Sequence, residues 1–266
     1  MFLRSALRRT RRRPQWWLGG LILLLLGATA LTRAAGGPAV LIELEGPIGP
    51  ASSDFVKRSL ETAAARSAEV AILQIDTPGG LDSSMREIIK DILASPVPVA
   101  GYVAPQGAHA ASAGTFILYA THVAAMAPAT NLGAATPVQI EGTPTPGRLP
   151  TGGDETEAPA GPSAMEKKIV NDAVAYIQGL AQLRGRNAEW AERAVREGES
   201  LSATDALEQG VVDILATSVD DLLTQADGRT VTIDGGELTL QSAGLAVYHH
   251  PVDWRSEFLA VITNPN

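Results

Sequence analysis

From residue 39 onward, unbroken apolar runs alternate with stretches in which apolar residues recur every three or four positions. The runs Ala39–Ile48 (a strand and its turn), Val70–Asp76, Val97–Val103 and Val123–Ala127 read as strands, and their near-continuous apolar character suits a parallel sheet covered on both faces. Residues 50–67 read as a helix whose buried side holds Phe55, Leu60, Ala63 and Ala64, and residues 82–94 as another with Met85, Ile88, Ile89, Ile92 and Leu93 on one stripe. Thr115–Ala120 can run as an apolar helix. Strand and helix alternating at this spacing predict βαβ units with right-handed crossovers, an α/β fold. The helical period returns at Ala164, with Ile169, Val170, Ala173, Val174, Ile177, Leu180 and Ala181 on one face, and continues over 187–197. Leu201–Leu207 reads as a helix with Ser202 at its N-cap. A strand at Val211–Leu215, a helix at Ser218–Ala226, a glycine-turn hairpin over Thr230–Leu240 and an amphipathic helix at Trp254–Ile262 complete the reading.

Two stretches fall outside this pattern. Residues 1–15 are basic, and Trp16–Leu31 carries no charge, which is the pairing of an export signal with Ala28-Thr29-Ala30 as a cleavage site. Sixteen helical residues rise about 24 Å, short of a ~30 Å hydrocarbon core, yet an uncleaved anchor stays open. The arginines ahead of the run hold the N-terminus in the cytoplasm and send the body across. The expected division is a signal or membrane anchor at 1–35 and one body at 36–266. Within the body, 139–163 is rich in Pro, Gly, Thr and acidic residues with almost no apolar anchor. Such a stretch is either a flexible cover over a site or an inert insertion.

Charge and composition narrow the chemistry. Seven of the 21 basic residues lie in the first 33, leaving 14 in the rest against all 29 acidic residues. A body of that sign repels phosphates, so no nucleic-acid partner is expected. The absence of cysteine excludes disulfides, thiolate metal sites and a thiol nucleophile. Four histidines give no convincing metal-ligand spacing, so no metal or cofactor is expected.

The candidate chemistry centres on Ala108–Thr115, where Ser112 stands among very small residues between a strand and a helix. A serine entering a helix lies near free backbone N–H groups and the positive helix end, a setting that suits a nucleophile. The same residues equally suit a tight packing spot. The Val70–Asp76 strand ends in Thr77-Pro78-Gly79-Gly80. Ligands of parallel sheets bind beyond the carboxyl ends of the strands. Backbone N–H groups at the Gly79-Gly80 turn and at Ala113 can therefore face one cavity as an oxyanion hole. No histidine is well placed as the base: His122 lies ten residues on, His249 and His250 read as a solvated tail, and His109 is better used in a cap or packing role. Of the four lysines, Lys57 and Lys90 sit on solvated helix faces, whereas Lys167 and Lys168 open the helix after the polar stretch. The helical wheel puts Lys167 at the margin of the apolar stripe and Lys168 opposite it. A solvated pair, with Lys168 against Asp172, is the plain alternative.

Several motifs in order carry a resemblance to a known family: Asp76-Thr77-Pro78-Gly79-Gly80, Ala111-Ser112-Ala113-Gly114-Thr115, Met126-Ala127-Pro128, Lys168-Ile169-Val170-Asn171-Asp172, Ala175-Tyr176-Ile177 and Gly185-Arg186-Asn187. Over roughly residues 38–266 the chain resembles the NfeD-type membrane-bound serine proteases, of the Clp-protease and crotonase fold class. The resemblance implies stacked βαβ units, Ser112 as nucleophile and Lys168, which heads the matching segment, as base. It implies Gly79 and Gly80 at the oxyanion hole, a hydrophobic peptide or protein substrate, a stomatin-like membrane partner and a homo-oligomer. The chain has no histidine in 131–136, where Clp proteases carry theirs, which agrees with a lysine base. Family members often continue into several membrane helices, so a short or truncated form is expected here. The expectation is a membrane-associated endopeptidase with its body on the extracytoplasmic side. A non-catalytic scaffold for the membrane partner and a crotonase-type acyl-CoA enzyme are the alternatives, the latter disfavoured by the export signal.

Overall fold

The computed structural model describes residues 36–137, 163–233 and 235–251. The expected signal or anchor at 1–35, the polar stretch up to residue 162 and the helix expected at Trp254–Ile262 lie outside the described residues. The described chain runs β1 (Ala39–Glu45), α1 (Pro50–Ala65), β2 (Val70–Asp76), α2 (Asp82–Leu93), β3 (Val99–Val103), β4 (His109–Ala111), α3 (Ala113–Ala120), β5 (Val123–Met126) and β6 (Asn131–Gly133). It resumes with α4 (Ala164–Arg184), α5 (Ala188–Arg196), β7 (Ser200–Ser202), α6 (Ala203–Glu208), β8 (Ile214–Leu215), α7 (Val219–Ala226), β9 (Thr230–Ile233), β10 (Gly236–Thr239) and β11 (Val247–His249).

Six strands form a parallel sheet in the order β11-β1-β2-β3-β5-β8. Successive side chains of a strand point to opposite faces, and here both faces are covered. Val40, Ile42 and Leu44 enter the core that holds α1 to α6, while Ala39 and Leu41 enter a second core with Leu222, Leu223 and Val231. Two-sided burial is why these strands read as unbroken apolar runs rather than alternating ones.

The helical stripes are buried largely as their spacing requires. Met85, Ile88, Ile89 and Ile92 of α2 are all buried, but Leu93 is 41% exposed. Leu93 lies about 100° round the helix from Ile92, which turns it off the buried face. The strand expected at Val211–Leu215 shrinks to β8, because the Val211 and Val212 N–H groups close the α6 turn by bonding Ala206 O. His249 and His250 are not a free tail: β11 pairs in parallel with β1, and the His250 ring sits 5.6 Å from Phe55.

A second, three-stranded sheet, β4-β6-β7, was not legible as strands. It joins the main sheet where Thr77 bridges Ala110 just past the end of β2. This small sheet carries the serine turn.

Candidate active site

β4 delivers the chain to Ser112, and α3 begins at the next residue. Ser112 has φ 50° and ψ −113°, a conformation costly for any residue with a Cβ. Such backbone strain costs about 1–3 kcal/mol and persists only where the surroundings over-determine it. Here the Ser112 N–H donates to Gly133 O at 2.9 Å, and the Thr115 N–H donates to Ser112 O at 3.0 Å. The side chain is left over. Ser163, Asn187, Ser202 and Ser218 each stand at a helix N-cap and accept a backbone N–H with their side-chain oxygen. Ser112 occupies the same position on α3 without capping it. Its Oγ makes no hydrogen bond among the described residues, and the residue is only half-buried.

Against this serine lies the turn after β2. A Cβ on Gly79 would stand 2.7 Å from Ser112 Cβ and 3.1 Å from its Oγ, so only glycine permits the approach. Its φ of +109° excludes ordinary side chains as well. The turn is pinned from behind, where Ile48 N–H donates to Gly79 O at 2.8 Å and Leu81 N–H donates to Ile48 O at 2.9 Å. Thr77, fully buried, donates its hydroxyl to Gly46 O at 2.7 Å and accepts the Gly79 N–H at 3.1 Å. The Gly79 N–H thus already meets Thr77, and the glycine supplies the space in which Ser112 sits. The N–H groups of Gly80 and Ala113 make no hydrogen bond among the described residues.

Both candidate lysines are exposed in the first turns of α4, and neither side chain forms a hydrogen bond or ion pair among the described residues. The Lys168–Asp172 pairing of the alternative reading does not occur: Asp172 accepts from Arg86 Nη2 at 2.7 Å. The direction of α4 bears on the lysines. Phe116 stacks on Tyr176 with ring centroids 6.1 Å apart, and Arg184 Nε donates to Ala120 O at 2.9 Å. Both contacts advance together along α3 and α4, so the helices run parallel. The early turns of α4, with Lys167 and Lys168, thus lie toward the Ser112 end of α3.

The histidines are placed elsewhere. His122 sits beyond the far end of α3, where its Nδ1 accepts the Val99 N–H at 3.1 Å. Burial, with help from Arg184 and Arg186, lowers its pKa to about 3. His109 turns to Asp76, whose Oδ1 lies 3.3 Å from His109 Nδ1 and accepts the His109 N–H at 3.1 Å. Nothing in the sequence pattern marks that pair, because its members are 33 residues apart. Among the described residues no cluster of His, Asp and Glu is arranged to hold a metal ion.

A strained, uncapped serine backed onto a glycine turn at the ends of parallel strands can now be set beside known proteins. Residues 40–234 match the family described as NfeD1b, N-terminal domain. The chain belongs to that family. This NfeD1b-family chain is 32% identical over 251 residues to the membrane-bound protease PH1510 of Pyrococcus horikoshii, covering 94% of itself and 53% of that protein. It is 36% identical over 126 residues to membrane protein NfeD1b of Bacillus subtilis, covering 47% of itself and 28% of that protein. The chain spans about half the length of the first relative and less of the second. Among solved structures it is similar to 1510-N, described as a membrane-bound stomatin-specific protease. A lysine-to-alanine mutant of 1510-N in complex with a substrate peptide gives a TM-score of 0.72 at 32% identity, over 86% of this chain and 99% of that one. A serine-to-alanine mutant gives 0.71 at 33% identity, over 82% and 100%. The mixed α/β fold with its mainly parallel sheet is the fold of that protease. Among the described residues no helix is long and apolar enough to cross a membrane.

Proposed function

We propose that this chain is a serine endopeptidase with a Ser112–Lys168 dyad, cleaving apolar segments of a stomatin-like membrane partner. The observation that carries the proposal is the Ser112 hydroxyl, held on strained backbone against Gly79 and making no hydrogen bond among the described residues. Kinship with a membrane-bound protease and similarity to a stomatin-specific one support the reaction and partner class. The homo-oligomer and the extracytoplasmic position of the body belong to the same proposal.

The reaction is acyl transfer. Ser112 Oγ attacks the scissile carbonyl carbon as Lys168 Nζ takes its proton, and the carbonyl oxygen gains the negative charge. The N–H groups of Gly80 and Ala113 donate to that oxyanion, with the positive end of α3 behind Ala113. Collapse breaks the C–N bond, and the leaving amine takes the proton from Lys168. Water then attacks the Ser112 ester, again losing its proton to Lys168, which passes it to Ser112 Oγ as the ester C–O bond breaks, freeing the acid and restoring the serine. A lysine acts as base only when neutral.

The test compares the full chain with Ser112→Ala, Lys168→Ala and Lys167→Ala on an apolar peptide. Cleavage is expected from wild type and Lys167→Ala only. Equal cleavage by all four would refute the dyad. No cleavage by wild type, with binding of a stomatin-like partner retained in Ser112→Ala, would favour a scaffold instead.

A further inference from the structure

We propose that Thr115 is a positioning residue whose hydroxyl latches Ser112 into its strained backbone; this role rests on the protease reading above. Thr115 is completely buried, in the first turn of α3. Its Oγ1 lies 2.8 Å from Ala110 O and 3.0 Å from Gly133 O, with its one proton serving either carbonyl, and it accepts the Gly133 N–H at 3.1 Å. Ala110 is in β4 and Gly133 ends β6, so one hydroxyl ties the helix to both strands. Gly133 is also the residue whose carbonyl accepts the Ser112 N–H.

The result is a closed circuit around the serine. Ser112 N–H reaches Gly133 O, Gly133 N–H reaches Thr115 Oγ1, and Thr115 N–H returns to Ser112 O. Gly133 cannot drift. A Cβ on it would stand 2.3 Å from Glu199 O, which shows how closely its backbone lies on that carbonyl, and the Ala134 N–H donates to the same oxygen at 3.0 Å. Without the hydroxyl, α3 loses its side-chain tie to Gly133, and the serine turn keeps the Ser112 N–H bond and the neighbouring β4–β6 pairing. The strained φ of Ser112 then has a route to relax, which would move Oγ and the Ala113 N–H together. Binding of substrate elsewhere along the site does not depend on this circuit, so the step expected to suffer is turnover rather than affinity.

Valine replaces the hydroxyl by a methyl of similar size, and serine retains the hydroxyl while losing the methyl. The test uses the full chain as wild type, Thr115→Val and Thr115→Ser, at a temperature where thermal melts show all three folded. In Thr115→Val the Ser112 amide is expected to exchange hydrogen at least tenfold faster. Its kcat on an apolar peptide is expected to fall about a hundredfold, the size of effect attached to a misplacement of about 1 Å, with KM within twofold. Thr115→Ser is expected to hold the slow exchange and to keep most of kcat. Unchanged exchange in Thr115→Val, or unchanged kcat despite faster exchange, would overturn the latch. So would a Thr115→Ser variant as defective as Thr115→Val. A wild type that cleaves no peptide would instead refute the protease reading and leave the latch to be judged on the exchange rates.

Discussion

At the scale of single residues, the site is a contact between two backbones that would collide if either carried more atoms. Gly79 leaves the space that Ser112 occupies, and Gly114 leaves the space taken by the Thr77 methyl, 2.6 Å from where its Cβ would be. Gly79→Ala should therefore displace Ser112 by a substantial fraction of an ångström, in addition to straining a φ of +109°. Peptide cleavage is expected to fall about a hundredfold, with melting shifted down by only a few degrees, as about 1 kcal/mol does in a domain this large. Steady-state kinetics with a parallel thermal melt checks both. A variant with normal kcat would show that the serine and the turn move independently. The glycines and the serine could be picked out of the sequence because two small-residue turns follow successive strands. Thr77 and Thr115 could not, since a buried threonine has no signature until its partners are known.

At the scale of elements, α3 presents a problem that its own sequence does not solve. It carries no charge and all eight of its residues are buried, so its last carbonyls lie away from water. Two arginines from the α4–α5 corner answer this. Arg186 Nη1 donates to Leu118 O, Tyr119 O and Thr121 O, Arg184 Nε donates to Ala120 O, and Arg186 Nη2 meets Asp213 at 2.9 Å. Cations at a helix C-terminus are favourable, and here they also satisfy carbonyls that water does not reach. The Arg186 side chain is only 2% exposed. Arg186→Met strips partners from several carbonyls and from Asp213 at once. It is expected to cost about 3 kcal/mol, the lower end for breaking a buried pair because Asp213 stays partly solvated. Arg196→Ala removes an exposed pair with Glu192 and should cost less than about 1 kcal/mol. Urea midpoints for the two variants decide between these values, and equal midpoints would refute the assignment. Gly185-Arg186-Asn187 stood out in the sequence only as a motif; its work at the end of another helix is a tertiary fact.

At the scale of the whole molecule, His122 joins the sheet to this same corner and gives the fold a pH dependence. Its pKa is lowered from 6.5 to about 3, by burial first and then by Arg184 and Arg186. The folded protein therefore keeps the ring neutral while the unfolded chain takes up a proton. Its contribution to stability is complete above pH 6.5 and is lost as the pH falls from there toward 3. One such proton gives a slope of at most about 1.4 kcal/mol per pH unit. Between pH 6.5 and 5, before most carboxylates titrate, His122→Asn should flatten the measured slope while its amide oxygen still accepts the Val99 N–H. Denaturant unfolding at three pH values tests this, and an unchanged slope would place the titrating group elsewhere.

The sequence by itself determined the alternation of strands and helices, the two-faced burial of the sheet and the placing of most helical stripes. It also singled out Ser112, the Gly79-Gly80 turn and the lysine pair. All of these depend on local periodicity, on small residues where a strand ends, or on where a scarce residue type falls in the chain. The tertiary structure decided what depends on residues far apart in the chain. The three-residue strands of the small sheet are too short for any period, and β11 forms only because β1 offers an edge. The Gly79 N–H meets the Thr77 hydroxyl, and Asp172 faces Arg86 rather than Lys168. A hydrogen bond needs two partners in place, and the sequence names only one of them at a time.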